Sequence, residues 1–177
     1  MAAVLAKGKS VIKNAAMEPE VVALCDFLNS VGAKISGAGT PTITIEGVKE
    51  LSEGKCHIIP DRLDAGTFAI LGALCGKDLT VSGLNPEHLD SLWKYFDLMN
   101  IPYTLNKDSV TLSKGKKMTS THIKTHEYPG FATDLQPPMT LLLTQSQGLS
   151  IMHETIHEVK RYLLDCRANL TEPHCSE

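Results

Sequence analysis

The chain has 177 residues, of which 42% are hydrophobic and 21% charged, and its formal net charge is −3. This length is enough for one sizeable core or two small domains. The mildly acidic balance, without a basic stripe, argues against nucleic acid as a partner. No apolar run approaches the roughly 20 residues needed to cross a bilayer, and no basic region followed by an apolar one opens the chain, so neither a membrane span nor a secretory signal is expected.

The strongest signal along the chain is a helical pattern that recurs. Apolar residues of the segment 18–35 follow the i, i+3, i+4, i+7 spacing of an amphipathic helix. The same spacing returns 68 residues later, and its first four positions return after a further 70. The three sets are Val21, Leu24, Cys25, Leu28 and Val31; Leu89, Leu92, Trp93, Phe96 and Met99; and Val159, Tyr162, Leu163 and Cys166.

Strand-like segments flank these helices. Short β-like runs follow Gly8, Gly76 and Gly148, ahead of each helix. After the first two helices, the segments 33–47 and 103–115 alternate apolar and polar residues around turn residues. That alternation has the period of a half-buried strand and predicts two hairpins.

Two further helices, predicted at 64–76 and 134–148, are apolar nearly all round, which is typical of burial inside a layer. Each follows an approach that contains proline, at 58–62 and 127–134. The sequence therefore predicts an α/β (α+β) fold of repeated strand–helix–strand–helix–hairpin units, incomplete at both ends. Incomplete units leave apolar surface uncovered, so self-association through exposed unit ends is one expected consequence.

Cysteine and histidine positions favour neither disulfides nor a metal site. The five cysteines form no CxxC pair, and an odd, scattered set is typical of reduced thiols in a cytoplasmic protein. His153 and His157 are four apart, but His153 belongs to a predicted strand, so a shared metal is not expected. Cys75 lies in a predicted buried helix, which favours a small core residue over a nucleophile.

Three segments occur in order: IIPDRLDAGTF at 58–68, YPGFATDLQPPMTLLLTQSQG at 128–148 and ETIHE at 154–158. In motif and spacing they resemble the UDP-N-acetylglucosamine enolpyruvyl transferases, also called UDP-N-acetylglucosamine 1-carboxyvinyltransferases, in the central part of that family's chain. The resemblance implies two lobes of inside-out α/β architecture with substrates in the cleft between them. Residues 1–59 would end the first lobe, 60–165 would begin the second, catalytic lobe, and 166–177 would form a disordered tail.

The resemblance also implies an activity. The family transfers the enolpyruvyl group of phosphoenolpyruvate to the 3-hydroxyl of UDP-N-acetylglucosamine in the cytoplasm, without a metal or other cofactor, and so opens peptidoglycan synthesis for cell-wall biogenesis, cell shape and division. The reaction adds and then eliminates, so a base must take the hydroxyl proton while an acid protonates the methylene carbon. The family's general-acid cysteine matches no residue of this chain, which is therefore expected to be inactive alone.

Asp134 is the candidate base, and it stands between a Pro/Gly-rich approach and an apolar run. Spacing alone favours a cap, because oxygens of Thr133 and Asp134 at a helix start can accept hydrogen bonds from free N–H groups. The resemblance implies instead that Asp134 accepts the proton of the sugar hydroxyl, provided that it lies close to that proton and water is excluded. The two roles can coexist.

Two more substrate contacts are implied by the resemblance. Ile156 matches the segment whose main chain touches the uridine nucleotide; a strand end that packs on the core is the alternative. Arg62 would hold the carboxylate or phosphate of phosphoenolpyruvate in a bidentate pair, with a salt bridge at the lobe junction as the alternative. The family has Phe-Glu-Asn-Arg where this chain has 157–160, so the aromatic contact and the arginine are not expected here.

Three interpretations stay open. The chain is a piece of the transferase that is inactive alone, an active partner of a complementary chain, or a non-catalytic binding or structural protein that keeps only the repeated units. Within the first, 3-phosphoshikimate enolpyruvyl transferase is the alternative substrate class. The motif FATDLQ followed by ETIHE fits the nucleotide-sugar enzyme better.

Overall fold

The computed structural model describes residues 1–157 and the backbone of the strand at 164–168. The chain divides into two compact units, residues 1–59 and residues 60–177. The described helices are Pro19–Ser30 (α1), Arg62–Cys75 (α2), Asp90–Leu98 (α3) and Gln136–Leu143 (α4). The strands are Lys9–Lys13 (β1), Lys34–Ser36 (β2), Thr42–Glu46 (β3), Leu79–Ser82 (β4), Tyr103–Leu105 (β5), Ser109–Leu112 (β6), His122–Lys124 (β7), Gly148–His153 (β8) and Leu164–Ala168 (β9). This mixture confirms the α/β (α+β) class.

In the first unit, α1 lies on an antiparallel sheet of order β1-β3-β2. Strand β3 alternates, so that Ile43 and Ile45 point into a small core that also contains Leu28 of α1. The amide of Asn29 ties α1 to β2, since it accepts from the Ile35 N–H at 2.8 Å and donates to the Ile35 carbonyl at 2.9 Å. The predicted amphipathic helix is confirmed, although Leu24 faces outward.

The second unit contains the same arrangement after α2. Strands β4, β6 and β5 form an antiparallel sheet, and α3 lies against it. All five apolar positions predicted for this helix are buried: Leu89, Leu92, Trp93, Phe96 and Met99. The indole N–H of Trp93 donates to the Pro86 carbonyl at 2.8 Å, which satisfies its one polar atom.

Helices α2 and α4 are buried on one face only. Small residues let α2 approach its neighbours: Gly66, Ala69 and Ala73 are buried, whereas Phe68 and Leu71 are 53% and 44% exposed. In α4, Met139, Leu142 and Leu143 are fully buried, and Leu141 is exposed. The prediction that both helices are buried on all sides was therefore wrong, because the described residues that contact each helix cover only one of its faces.

A mixed sheet of order β7-β8-β9 completes the second unit. Strand β7 runs parallel to β8, and β9 runs antiparallel to it. The prediction of a third amphipathic helix is therefore wrong at Cys166, because this residue lies in strand β9. The other residues of that prediction, Val159, Tyr162 and Leu163, lie outside the described residues. Strand β9 also includes the first three residues of the predicted disordered tail. These residues are ordered as a strand because they pair with the N–H and C=O groups at the edge of β8. Residues 169–177 of that tail lie outside the described residues.

None of the helices in the described residues has the length and apolarity that a membrane crossing requires. In the same residues, no group of three or more His, Cys, Asp or Glu side chains could hold a metal ion.

Candidate functional site

The first predicted site residue, Arg62, opens α2. The carboxylate of Asp61 caps this helix by accepting hydrogen bonds from the N–H groups of Leu63 at 2.8 Å and Asp64 at 3.1 Å. Such a cap satisfies donors that have no partner within the helix. It fixes the point at which α2 begins, and with it the position of the Arg62 backbone.

Replacing Asp61 with alanine is expected to lower the free energy of unfolding of the second unit by about 1 kcal/mol, since two N–H groups lose their acceptor. Urea denaturation measures the change. Asp61→Asn is the matched control and should stay close to the parent, because asparagine is an equally good N-cap. Equal losses for both substitutions would contradict the capping role.

Arg62 contacts the loop that leads to Asp134. Its guanidinium carbon lies 5.4 Å from the centre of the Tyr128 ring, within the range of a cation–π interaction. Tyr128 precedes Pro129 in the proline-containing approach at 127–134. The start of α2 and the approach to α4 therefore meet at this pair.

Asp134 lies in a short 3-10 turn, Thr133–Leu135, immediately before α4. Its neighbour Leu135 is 1% exposed and packs on α2, where a Cβ at Gly66 would lie 3.0 Å from both Leu135 methyl carbons. The Asp134 side chain itself is exposed and caps neither the turn nor α4. The capping interpretation is therefore wrong, and the carboxylate stands at the surface on a buried anchor.

Thr133, on the other side of Asp134, is bonded to a buried carboxylate that was not among the predicted site residues. Glu154 follows β8 and is 1% exposed. Its Oε2 accepts from the Thr133 hydroxyl at 2.6 Å, and its Oε1 accepts from the Thr125 hydroxyl at 2.8 Å. Oε1 also accepts from the N–H groups of Ile156 at 2.7 Å and His157 at 3.3 Å.

Four donors keep Glu154 ionised inside the protein. Burial alone would raise its pKa, since a carboxylate loses solvation there. Hydrogen bonds from the Thr133 hydroxyl, the Ile156 N–H, the Thr125 hydroxyl and the His157 N–H outweigh burial and lower the pKa from 4.5 to about 2. Hydrogen bonds to a charged group are stronger than those between neutral groups, so the four N–H and O–H donors stabilise the negative charge of Glu154.

The structure thus joins the segments of two predicted site residues, Asp134 and Ile156, through Glu154. The third, Arg62, is tied to the approach of Asp134 through Tyr128. One signal for Glu154 was present in the sequence: an acid directly after an apolar strand, in a chain that places threonine at 125 and 133. A buried acid needs donors, and threonine supplies them, but nothing local indicated which threonines.

The fold is that of the enolpyruvyl transferases. Among solved structures, the enolpyruvyl transferase NikO from Streptomyces tendae superposes with a TM-score of 0.78 at 22% sequence identity, over 86% of this chain and 37% of that one. The family model for EPSP synthase (3-phosphoshikimate 1-carboxyvinyltransferase) matches residues 1–164. The chain belongs to this family.

Relatives within the family carry the name that the motifs suggested. UDP-N-acetylglucosamine 1-carboxyvinyltransferase 2 of Bacillus subtilis (strain 168) is 47% identical over 161 residues, which are 90% of this chain and 38% of the relative. The UDP-N-acetylglucosamine 1-carboxyvinyltransferase of Clostridium botulinum is 45% identical over 158 residues, 89% of this chain and 38% of that one. The resemblance is confirmed, and the chain spans less than two fifths of the length of these relatives.

Proposed function

We propose that this chain is part of a UDP-N-acetylglucosamine 1-carboxyvinyltransferase. The reaction moves the enolpyruvyl group of phosphoenolpyruvate to the 3-hydroxyl of UDP-N-acetylglucosamine and releases phosphate, in the cytoplasm, as a step of peptidoglycan synthesis. The observation that carries the proposal is one arrangement: an exposed carboxylate on a turn anchored by the buried Leu135, joined through Thr133 and Glu154 to the main chain at Ile156. Relatives of that name at 45–47% identity support the same activity.

Asp134 acts in this proposal as the base for the sugar hydroxyl. A base needs an open lone pair within about 3 Å of the proton that it removes. The exposed Asp134 carboxylate caps no helix and is open to a ligand. Leu135 beneath it and Thr133 beside it are both held, so the carboxylate is carried on a fixed turn, as a preorganised site requires.

Ile156 meets the nucleotide through its main chain. Its N–H already donates to Glu154 at 2.7 Å, so we assign the nucleotide contact to the carbonyl. Arg62 binds the carboxylate or phosphate of phosphoenolpyruvate, for which a planar guanidinium fork is suited. The Tyr128 ring beneath it limits the positions of that guanidinium.

The 177 residues alone are proposed to be inactive, with residues 1–59 and 60–165 belonging to successive lobes of a longer assembly. Reactions of this kind depend on preorganised charge around the transition state, and one base supplies a minor share of it. The exposed apolar faces of α2 and α4, which carry Phe68, Leu71 and Leu141, are proposed to associate with further units or with a second copy.

A hybrid enzyme tests the function. Residues 1–157 of this chain replace the matched segment of the Bacillus subtilis relative, and phosphate release is measured with phosphoenolpyruvate and either UDP-N-acetylglucosamine or 3-phosphoshikimate. Turnover with the nucleotide sugar is expected. Turnover with 3-phosphoshikimate only would favour the alternative substrate class.

Asp134→Asn in that hybrid is expected to reduce turnover by at least about 100-fold, because the amide cannot accept the hydroxyl proton. Thermal unfolding should be unchanged, since the Asp134 side chain is exposed and caps no helix. Asp108→Asn, an exposed aspartate between β5 and β6, is the matched control and should keep full turnover. Equal activity of both variants would remove Asp134 from the mechanism.

The 177-residue chain separates the enzyme from a non-catalytic protein. UDP-N-acetylglucosamine is expected to raise its melting temperature, because a ligand that binds only the folded state stabilises it. A melting temperature that the nucleotide sugar leaves unchanged would favour the non-catalytic alternative.

A further inference from the structure

Glu154 joins three separate segments with one side chain. Its donors come from Thr125 after β7, from Thr133 before α4, and from the backbone at Ile156 and His157. The two shortest bonds, 2.6 Å and 2.7 Å, go to Thr133 and Ile156. Thr133 is adjacent to the proposed base, and Ile156 is the proposed nucleotide contact, so these two bonds lead to the proposed site.

The strand ends are held together without Glu154. The Thr155 N–H donates to the Thr125 hydroxyl at 2.9 Å, and the Thr155 hydroxyl donates to the Thr125 carbonyl at 2.6 Å. The Thr125 N–H donates to the His153 carbonyl at 3.0 Å, which continues the parallel pairing of β7 with β8. Pairing of these strands therefore does not depend on the acid, and what Glu154 adds is the connection across to Thr133.

A neutral side chain would reproduce the bonds of this carboxylate only in part. Both oxygens are acceptors, and all four neighbours are donors, so charge and hydrogen-bonding pattern match. Glutamine would turn one acceptor into an NH2 group that faces a donor. At the Oε1 position that group would face the N–H groups of Ile156 and His157, which cannot accept a hydrogen bond. At the Oε2 position it could bond to Thr133 only if that hydroxyl reversed from donor to acceptor. In both cases the bonds lose the negative charge that strengthens them.

We propose that Glu154 is a positioning residue that sets the separation between Asp134 and the Ile156 main chain, so that one sugar nucleotide reaches both at once. The inference rests on the proposed function for its ligand. Glu154 itself touches no substrate. It acts through Thr133 on one side and through the Ile156 N–H on the other.

Binding of UDP-N-acetylglucosamine to the 177-residue chain, measured by calorimetry, is the first readout. Glu154→Gln is expected to weaken binding about tenfold or more, and Thr133→Val, which keeps the shape and loses one bond, by a smaller factor. Val110→Ala is the control, because this fully buried residue of β6 belongs to a different sheet from β7 and β8, and its truncation destabilises the same unit. Parent-like affinity in Glu154→Gln would overturn the inference, as would an equal loss in Val110→Ala.

Amide proton resonances provide a readout that needs no ligand. Thr133→Val breaks only the bond at Oε2, yet it is expected to shift the Ile156 and His157 amide protons, which donate to Oε1, because the carboxylate must reorient. Unchanged Ile156 and His157 resonances would overturn the positioning role. If the parent chain does not bind the nucleotide sugar while the resonances shift, the proposed function fails and the positioning role stands.

Discussion

Replacing Phe96 with alanine is expected to lower the free energy of unfolding of the second unit by about 3–5 kcal/mol. The ring is fully buried and packs against two other aromatic rings, with its centroid 5.8 Å from that of Trp93 and 6.0 Å from that of Tyr103. Both contacts are edge-to-face, a geometry that contributes beyond the area buried. Alanine would leave a cavity under α3 that the sheet of β4, β5 and β6 cannot close.

Urea denaturation followed by tryptophan fluorescence measures this loss, because Trp93 is the single tryptophan of the chain and reports on the second unit. Leu98→Ala is the matched control. It removes a large apolar side chain from the same helix at a position that is 52% exposed, and a change within about 0.5 kcal/mol is expected. A Phe96→Ala variant as stable as Leu98→Ala would show that the aromatic cluster does not support the unit.

The packing of α3 was predictable because it depends on local periodicity. The spacing that marked Leu92 and Phe96 is a property of a single helix, and a stripe of that kind must face the core. The exposed face of α2 was not predictable in the same way. Phe68 and Leu71 are as apolar as core residues, yet they are exposed. The residue type indicates that a side chain favours burial, but whether it is buried depends on which other segments of the protein contact it.

The same distinction applies to the candidate site: its local features were predictable, and its contacts between distant segments were not. Asp134 could be identified from a short motif, and the sequence also predicted its position between the proline-containing approach and a helix. The sequence did not indicate that Asp134 caps no helix, because capping requires a backbone geometry that the 3-10 turn does not provide. Glu154 was missed because its partners Thr133 and Thr125 lie 21 and 29 residues away along the chain.

Acid is expected to destabilise the second unit through Glu154. The pKa of this group in the folded protein is about 2, below its ordinary value of 4.5. A depressed pKa means that the folded state binds the proton less readily than the unfolded state does. The stabilisation is therefore complete above pH 4.5 and is lost as the pH falls towards 2. A shift of this size corresponds to about 3 kcal/mol.

The experiment compares the free energy of unfolding of the parent chain and of Glu154→Gln across this range of pH. Other carboxylates titrate in both proteins, so their contribution cancels in the difference, and the difference should shrink by about 3 kcal/mol between about pH 6 and about pH 2. Glu127→Gln is the control, because its exposed carboxylate, beside His126, lies largely in solvent. A gap between parent and Glu154→Gln that stays constant with pH would mean that the carboxylate titrates as in the unfolded chain, and that its four donors do not hold it charged.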